Sequence, residues 1–366
     1  MQRKLTRFGN SLMLILLILI IGTLILRFIP TNYVVYTPGP AAEVAPMVKA
    51  QPSGEDNGRF LLTAVYQTYP SLYRYLQLKL DPYAEFHKRE EVFVEGETQE
   101  QYNSRQQINM LGSQSNAILA VYETLGISYQ YQDEGLYVQS VLQDYPAAEV
   151  LQAWDRIEAV DGQKVLSYEE LRQHLQSKRA GDVIEVTYIR NSARYTAEIE
   201  LRQLPQTDQA EEGEPSVGLG VTLIVMRNVV PDDERYRVEI NAENIGGPSA
   251  GLMFALEIYN RFVPEDISKG YTIAGTGEIS PQGQVGVIGG ISHKVIGADR
   301  SGADIFFAPA DYVDEQRGIY IANYSEAVKT AERIGSKMKI VEVSSLTDAL
   351  NYLEQLEERQ ERGKAA

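Results

Sequence analysis

Nineteen consecutive residues without a charge, Phe8 to Leu26, are the feature that most limits what this chain can fold into. The stretch is dense in leucine and isoleucine, with Arg3, Lys4 and Arg7 before it and Arg27 after it. At 1.5 Å per residue a helix of that length reaches about 28 Å, close to the hydrocarbon thickness of a bilayer. A core helix seldom lacks a polar face for so long. A cleaved signal peptide ends in small residues, whereas here the exit is Arg27-Phe28-Ile29-Pro30. The reading is an uncleaved transmembrane anchor within residues 1–30. Its basic tip stays in the cytoplasm, and the rest of the chain lies outside the cell.

Composition narrows the possibilities for the rest of the chain. A chain of 366 residues holds two or three domains, because single cores rarely grow beyond ~250 residues. Acidic residues outnumber basic ones 50 to 34, a formal net charge of −16. Grip on nucleic-acid phosphates needs the opposite sign, so no nucleic-acid partner is expected. The chain has no cysteine, which excludes disulfides, thiolate metal sites and a cysteine nucleophile. Its three histidines, His87, His174 and His293, are scattered and show no HExxH spacing. No metal and no other cofactor is expected, and His87 and His174 read as solvated residues in helical or irregular polar settings.

Thr31–Gly58 is rich in Pro, Gly and Ala and reads as a partly extended stalk. Arg59–Val65 (RFLLTAV) reads as a strand. Glu100–Leu125 carries an apolar face and stops at Gly126, so it reads as a helix. Further strands are expected at Gly135–Val141, Ile157–Val160, Val183–Arg190 and Tyr195–Leu201. Asp161-Gly162 supplies a tight turn, and Ser167 with Glu170 forms a capping box for a helix to about Ser177. This order over Leu125–Leu204 resembles a circularly permuted bacterial PDZ domain. The resemblance rests on Pro146-Ala147-Ala148, Trp154-Asp155-Arg156-Ile157 and Val160-Asp161-Gly162; Trp154 stands where that family usually has glycine. It implies capture of a peptide as an added strand, with a carboxylate loop near Leu125-Gly126-Ile127, or else a module kept as a spacer. Leu204–Ser216 is acidic and reads as a solvated linker.

The chemistry concentrates in two segments. Ile245–Asn260 (IGGPSAGLMFALEIYN) opens with two glycines and a proline and continues as an apolar helix. Pro248 suits a first helical turn, and Ser249 then sits where free amides and the positive dipole end stabilise an oxyanion. An ordinary capped helix packed through small residues is the alternative. The second segment runs from Gly275-Thr276-Gly277-Glu278-Ile279 to Ile288-Gly289-Gly290-Ile291-Ser292-His293-Lys294. Lys294 falls in a first helical turn among small and apolar residues. Burial there lowers an ammonium pKa, and a neutral amine is a competent base for a serine hydroxyl.

GGPSAG together with TGEI…GxVxxIGGIxxK resembles the proteolytic domain of the Lon family. With the anchor and the PDZ region, the chain is similar to membrane-anchored, PDZ-containing Lon-like serine proteases of Gram-positive bacteria. The implied fold is α+β and multidomain: a transmembrane helix at 1–30, a stalk and extracellular region at 31–120, and a β-barrel-like PDZ domain at 121–204. A linker at 205–216 and an α+β proteolytic domain at 217–366 complete it. If Arg59–Val65 belongs with the latter, the PDZ domain is an insertion. The resemblance makes Ser249 the nucleophile, Lys294 the base and Thr276 the residue that holds the lysine, with oxyanion donors at Gly247 and Ser249. It also implies peptide or protein substrates and a homo-oligomeric ring.

Two departures matter. Classical members carry an aspartate just before Gly-Pro-Ser, where this chain has Gly246, leaving Glu243 as a candidate substitute. No GxxxxGK[ST] sequence occurs, so ATP-driven unfolding is not expected. His293 is the rival base; one residue from Lys294 on a helix, it points about 100° away, and a rim position is expected for it. The tail after Leu346 reads as an amphipathic helix, packed on its own domain or on a neighbour. The functional expectation is an ATP-independent endopeptidase acting outside the cell, the alternative a non-catalytic peptide-binding scaffold.

Overall fold

The computed structural model describes residues 2–51, 57–94, 96–190, 193–204, 217–242 and 245–359, apart from the side chains of 2–12 and Ile15. In chain order its main elements begin with α1 (Gln2–Phe28), β1 (Tyr33–Glu43), β2 (Arg59–Thr68), α2 (Leu72–Leu78), β3 (Glu85–Lys88), α3 (Arg89–Val92) and α4 (Gln99–Leu125). Next come β4 (Tyr129–Val141), β5 (Arg156–Val160), α5 (Tyr168–Leu175), β6 (Val183–Arg190), β7 (Ala193–Glu200) and β8 (Val221–Pro231). The last are α6 (Gly251–Phe262), β9 (Thr272–Gly275), α7 (Ile291–Arg300), β10 (Ile305–Pro309), α8 (Tyr324–Ile334), β11 (Lys339–Val343) and α9 (Leu346–Glu354).

Two sheets organise these elements. The first runs β11-β10-β9-β2-β1-β3, parallel from β11 to β2 and antiparallel at β2–β1–β3. The second, antiparallel, runs β8-β4-β5-β6-β7. The first sheet is built from both ends of the chain, so the second, with α5, is an insertion. One core joins α4, α6 and α9 to a face of the first sheet through Met110, Tyr122, Phe254, Phe307 and Leu353. Another, around Ile291, Val295 and Phe306, packs α7 and α8 on the opposite face. The tail helix α9 therefore lies on its own domain.

Several expectations are corrected. The described part of Thr31–Gly58 is not a stalk: β1 lies inside the first sheet with Val34 and Val35 fully buried. Its prolines flank a register shift between Pro38 and Ala41, where a strand tolerates missing donors. There Gly39 approaches the Ala64 carbonyl so closely that a Cβ would stand 2.6 Å from its oxygen. Val221–Pro231, expected in the proteolytic domain, belongs to the second sheet, because β8 pairs along the whole of β4, and Val217–Gly218 just before it pairs with Arg202–Gln203 of the inserted domain. His87 lies on strand β3, half-buried between Glu85 and Glu91 and against the Tyr36 ring, rather than solvated in a helical or irregular stretch. Residues 205–216 of the expected linker, and Glu243, lie outside the described residues. So do the side chains of much of the expected anchor; among the described residues no helix is long and apolar enough to cross a membrane.

Candidate active site

Ser249 stands in a tight 3-10 turn, Pro248–Ala250, that leads into α6. Gly247 enters this turn at φ +87°, a conformation that favours glycine. The turn is held from two sides. The Ser113 hydroxyl of α4 donates to the Pro248 carbonyl (2.7 Å), while the Gly277 amide and the Thr276 hydroxyl both donate to the Ser249 carbonyl (2.8 and 2.9 Å). Gly251 has no room for a side chain, since a Cβ would lie 2.7 Å from both Ser113 Oγ and Ile279 Cγ2. The small residues of GGPSAG are thus packing requirements around the hydroxyl.

Lys294 arrives from the first turn of α7, which starts after Gly290 in a left-handed conformation. Its Nζ lies 2.7 Å from Ser249 Oγ and donates to Thr276 Oγ1 at 2.9 Å. Lys294 and Thr276 are buried. Burial pushes the amine down to about 7, against a smaller opposing pull from the Glu278 carboxylate. Glu278 opens to the cleft, yet partial desolvation raises its own pKa, countered in part by Lys294. Glu278 and Lys294 are the two charged residues among the described lining of a cleft of about 710 Å³. The sequence motif TGEI contains Glu278 but gave it no role of its own. Its signal was its alternation with buried Ile279, which turns the carboxylate outward into the cleft.

The structure brings Ser249, Lys294 and Thr276 together. It treats Gly247 differently: its amide donates to the Gln106 carbonyl at 2.8 Å, so this expected oxyanion donor is already engaged. His293 is corrected too, being 4% exposed rather than on the rim. Its Nε2 lies 2.9 Å from the Tyr83 carbonyl oxygen and its Nδ1 3.7 Å from Glu85 Oε2, with no hydrogen bond to Ser249. Among the described residues no group of histidines and carboxylates is arranged to hold a metal.

A second cleft lies between α5 and the start of β8, walled by Leu171, Leu175, Leu219, Val221 and Leu223. β8 is the edge strand of its sheet, and Leu219-Gly220 precedes it, after the short strand Val217–Gly218 that pairs with Arg202–Gln203. The expected carboxylate loop is therefore corrected: Leu125 and Ile127 pack on the core of the first sheet, and Gly126 caps α4.

An alcohol beside a buried lysine, on a turn with no bulk around it, defines a serine peptidase, and comparison with known proteins gives the same class. Residues 238–353 match the Lon protease (S16) C-terminal proteolytic domain and residues 124–201 the PDZ domain. The chain is 31% identical over 107 residues to the Lon protease of Aster yellows witches'-broom phytoplasma (strain AYWB), and 35% identical over 107 residues to that of Malacoplasma penetrans (strain HF-2). Each alignment covers 29% of this chain and 12% of the relative, so the chain spans a small part of those enzymes. The PDZ domain of the SdrC-like protein from Listeria monocytogenes is 33% identical, covering 25% of this chain and 88% of that one, at a TM-score of 0.22.

Proposed function

We propose that the chain is an ATP-independent, membrane-anchored serine endopeptidase that cleaves exported peptides or proteins outside the cell. The observation that carries the catalytic part is the 2.7 Å approach of a buried amine to the Ser249 hydroxyl. In this reading neutral Lys294 accepts the hydroxyl proton as Ser249 Oγ attacks a peptide carbonyl. It passes that proton to the leaving amine, then draws one from the water that hydrolyses the ester. Thr276 fixes the amine through its hydroxyl. The Ser249 amide, at the start of its turn, faces the developing oxyanion, and the Gly247 amide joins it only on leaving Gln106.

Extended substrates suit the cleft. β2 pairs with β9 only as far as Leu62, so Ala64–Tyr66 offer a backbone edge beside Ser249 to which a peptide adds as a strand. The open edge of β8 facing α5 is the proposed site for a peptide terminus. Absence of a phosphate-binding GxxxxGK[ST] supports ATP independence. The anchor is supported by the uncharged run Phe8–Leu26 and by the exposed apolar side chains of α1, among them Met13, Leu14, Leu16, Leu19, Leu24 and Ile25. Ring assembly belongs to the same proposal and is read by sedimentation of the detergent-solubilised chain.

Replacing Ser249 or Lys294 by alanine is expected to reduce peptide hydrolysis by a factor of at least about 10² while leaving the circular dichroism unchanged. Near-normal turnover in Lys294→Ala would overturn the dyad. Peptide binding without cleavage by the unmodified chain would favour the scaffold.

A further inference from the structure

Where α1 ends, the catalytic sheet begins almost at once. Four residues separate Phe28 from β1, and α2 is fastened to that junction. The Leu72 amide donates to the Ile29 carbonyl (2.8 Å), the Thr31 hydroxyl donates to the Pro70 carbonyl (2.6 Å), and the Arg27 guanidinium lies 5.6 Å from the Tyr73 ring centre. Four large apolar side chains stand bare at the end of α1, along α2 and just after it: Phe28 is 84% exposed, Ile29 41%, Leu76 52% and Leu80 86%. Arg27, Arg74 and Lys79 lie on the same segments. Among the described residues none of the three pairs with a carboxylate, although the chain carries sixteen more acidic than basic side chains. Lys79 instead lies 4.0 Å from the centre of the Phe86 ring.

We propose that this collar, Phe28, Leu76 and Leu80 with Arg27, Arg74 and Lys79, docks onto the headgroup layer of a bilayer containing anionic phospholipid. The inference rests on the membrane-anchored reading above and deepens it. Bare apolar tips among unpaired cations match the boundary between acyl chains and anionic headgroups, where tyrosines and basic residues also settle. The collar is continuous with the end of α1, so the lipid surface that receives the helix reaches the collar without any other partner. The consequence concerns substrates. Tyr36 lines the cleft eight residues beyond Phe28, a reach of at most about 28 Å. A docked collar therefore holds the cleft at a fixed height close to the membrane, where it meets membrane-proximal segments of exported chains.

The absence of cysteine makes the test clean. Single-cysteine variants Leu80→Cys, Leu16→Cys and Gln163→Cys of the full chain, each carrying an environment-sensitive fluorophore, are placed in nanodiscs of phosphatidylglycerol and phosphatidylcholine. Lipids bearing a spin-label quencher at a shallow or a deep acyl carbon then report depth. The expected result is roughly two-fold or greater quenching of Leu80→Cys by the shallow quencher, of Leu16→Cys by the deep one, and none at Gln163→Cys on the inserted domain. Quenching at position 16 but not at 80 would overturn the collar and leave the anchor standing. No quenching at position 16 would overturn both. Burial of the label at position 80 that rises with protein concentration in detergent, without lipid, would assign the collar to a second copy instead.

Discussion

Lys294 becomes a base through its surroundings. Desolvation lowers its pKa to about 7, and the Glu278 charge limits how far it falls. The base is active when unprotonated, so kcat/KM is expected to rise with pH through about 7 and then level off. Glu278→Gln removes the charge that favours the ammonium form, so the rising limb moves to lower pH. A pH profile of the variant that stays in place, or moves up, would contradict this coupling. The same shift has a stability side. Between about 7 and the ordinary lysine range the unfolded chain binds a proton that the folded one does not, so stability climbs with pH across that window. Lys294→Met removes the group and is expected to flatten that slope in urea titrations between pH 7 and 10.

At the scale of elements, the dyad depends on how closely α7 can approach β1. Gly297 lies one turn beyond Lys294, and a Cβ there would stand 2.3 Å from the Gly39 carbonyl oxygen. Gly297→Ala is expected to push α7 off the strand, at a cost of about 1–3 kcal/mol. Since a misplacement near 1 Å costs about 100-fold in rate, turnover should fall well beyond what the loss of stability explains. Gly112→Ala, on α4 with nothing near its would-be side chain, is the control expected to keep both. This contact marks the limit of what was legible in the sequence. Ser249, Lys294 and Thr276 sit in local glycine-punctuated motifs, and α4 and α5 announce themselves by periodicity and by a capping box. β1 was hidden because Pro38, Gly39 and Pro40 read as a stalk when the bulge and helix that need them are unseen. β8 was hidden because its partner β4 lies about ninety residues earlier, and pairing at that distance leaves no local trace. The engaged Gly247 amide depends on Gln106 for the same reason.

Taken whole, the molecule hangs its inserted domain on the helix that also supports the nucleophile. The Trp154 indole donates to the Gln101 carbonyl at 3.0 Å in the first turn of α4. Gln106, about 7.5 Å along that helix, accepts from Gly247 beside Ser249. Trp154 holds φ +78°, a left-handed conformation that costs a non-glycine residue about 1–2 kcal/mol. A tryptophan where the resembled family keeps glycine thus carries backbone strain in exchange for a contact between the two domains. Trp154→Gly separates the two effects. Relief of strain is expected to raise the unfolding midpoint of the inserted domain by about 4 °C, while the lost indole contact frees the start of α4. Amide exchange over Gln101–Gln106 should then quicken in the full chain even as the inserted domain grows more stable. If exchange there were unchanged, the indole would be a passenger on the surface, and the strain at Trp154 would have no partner to explain it.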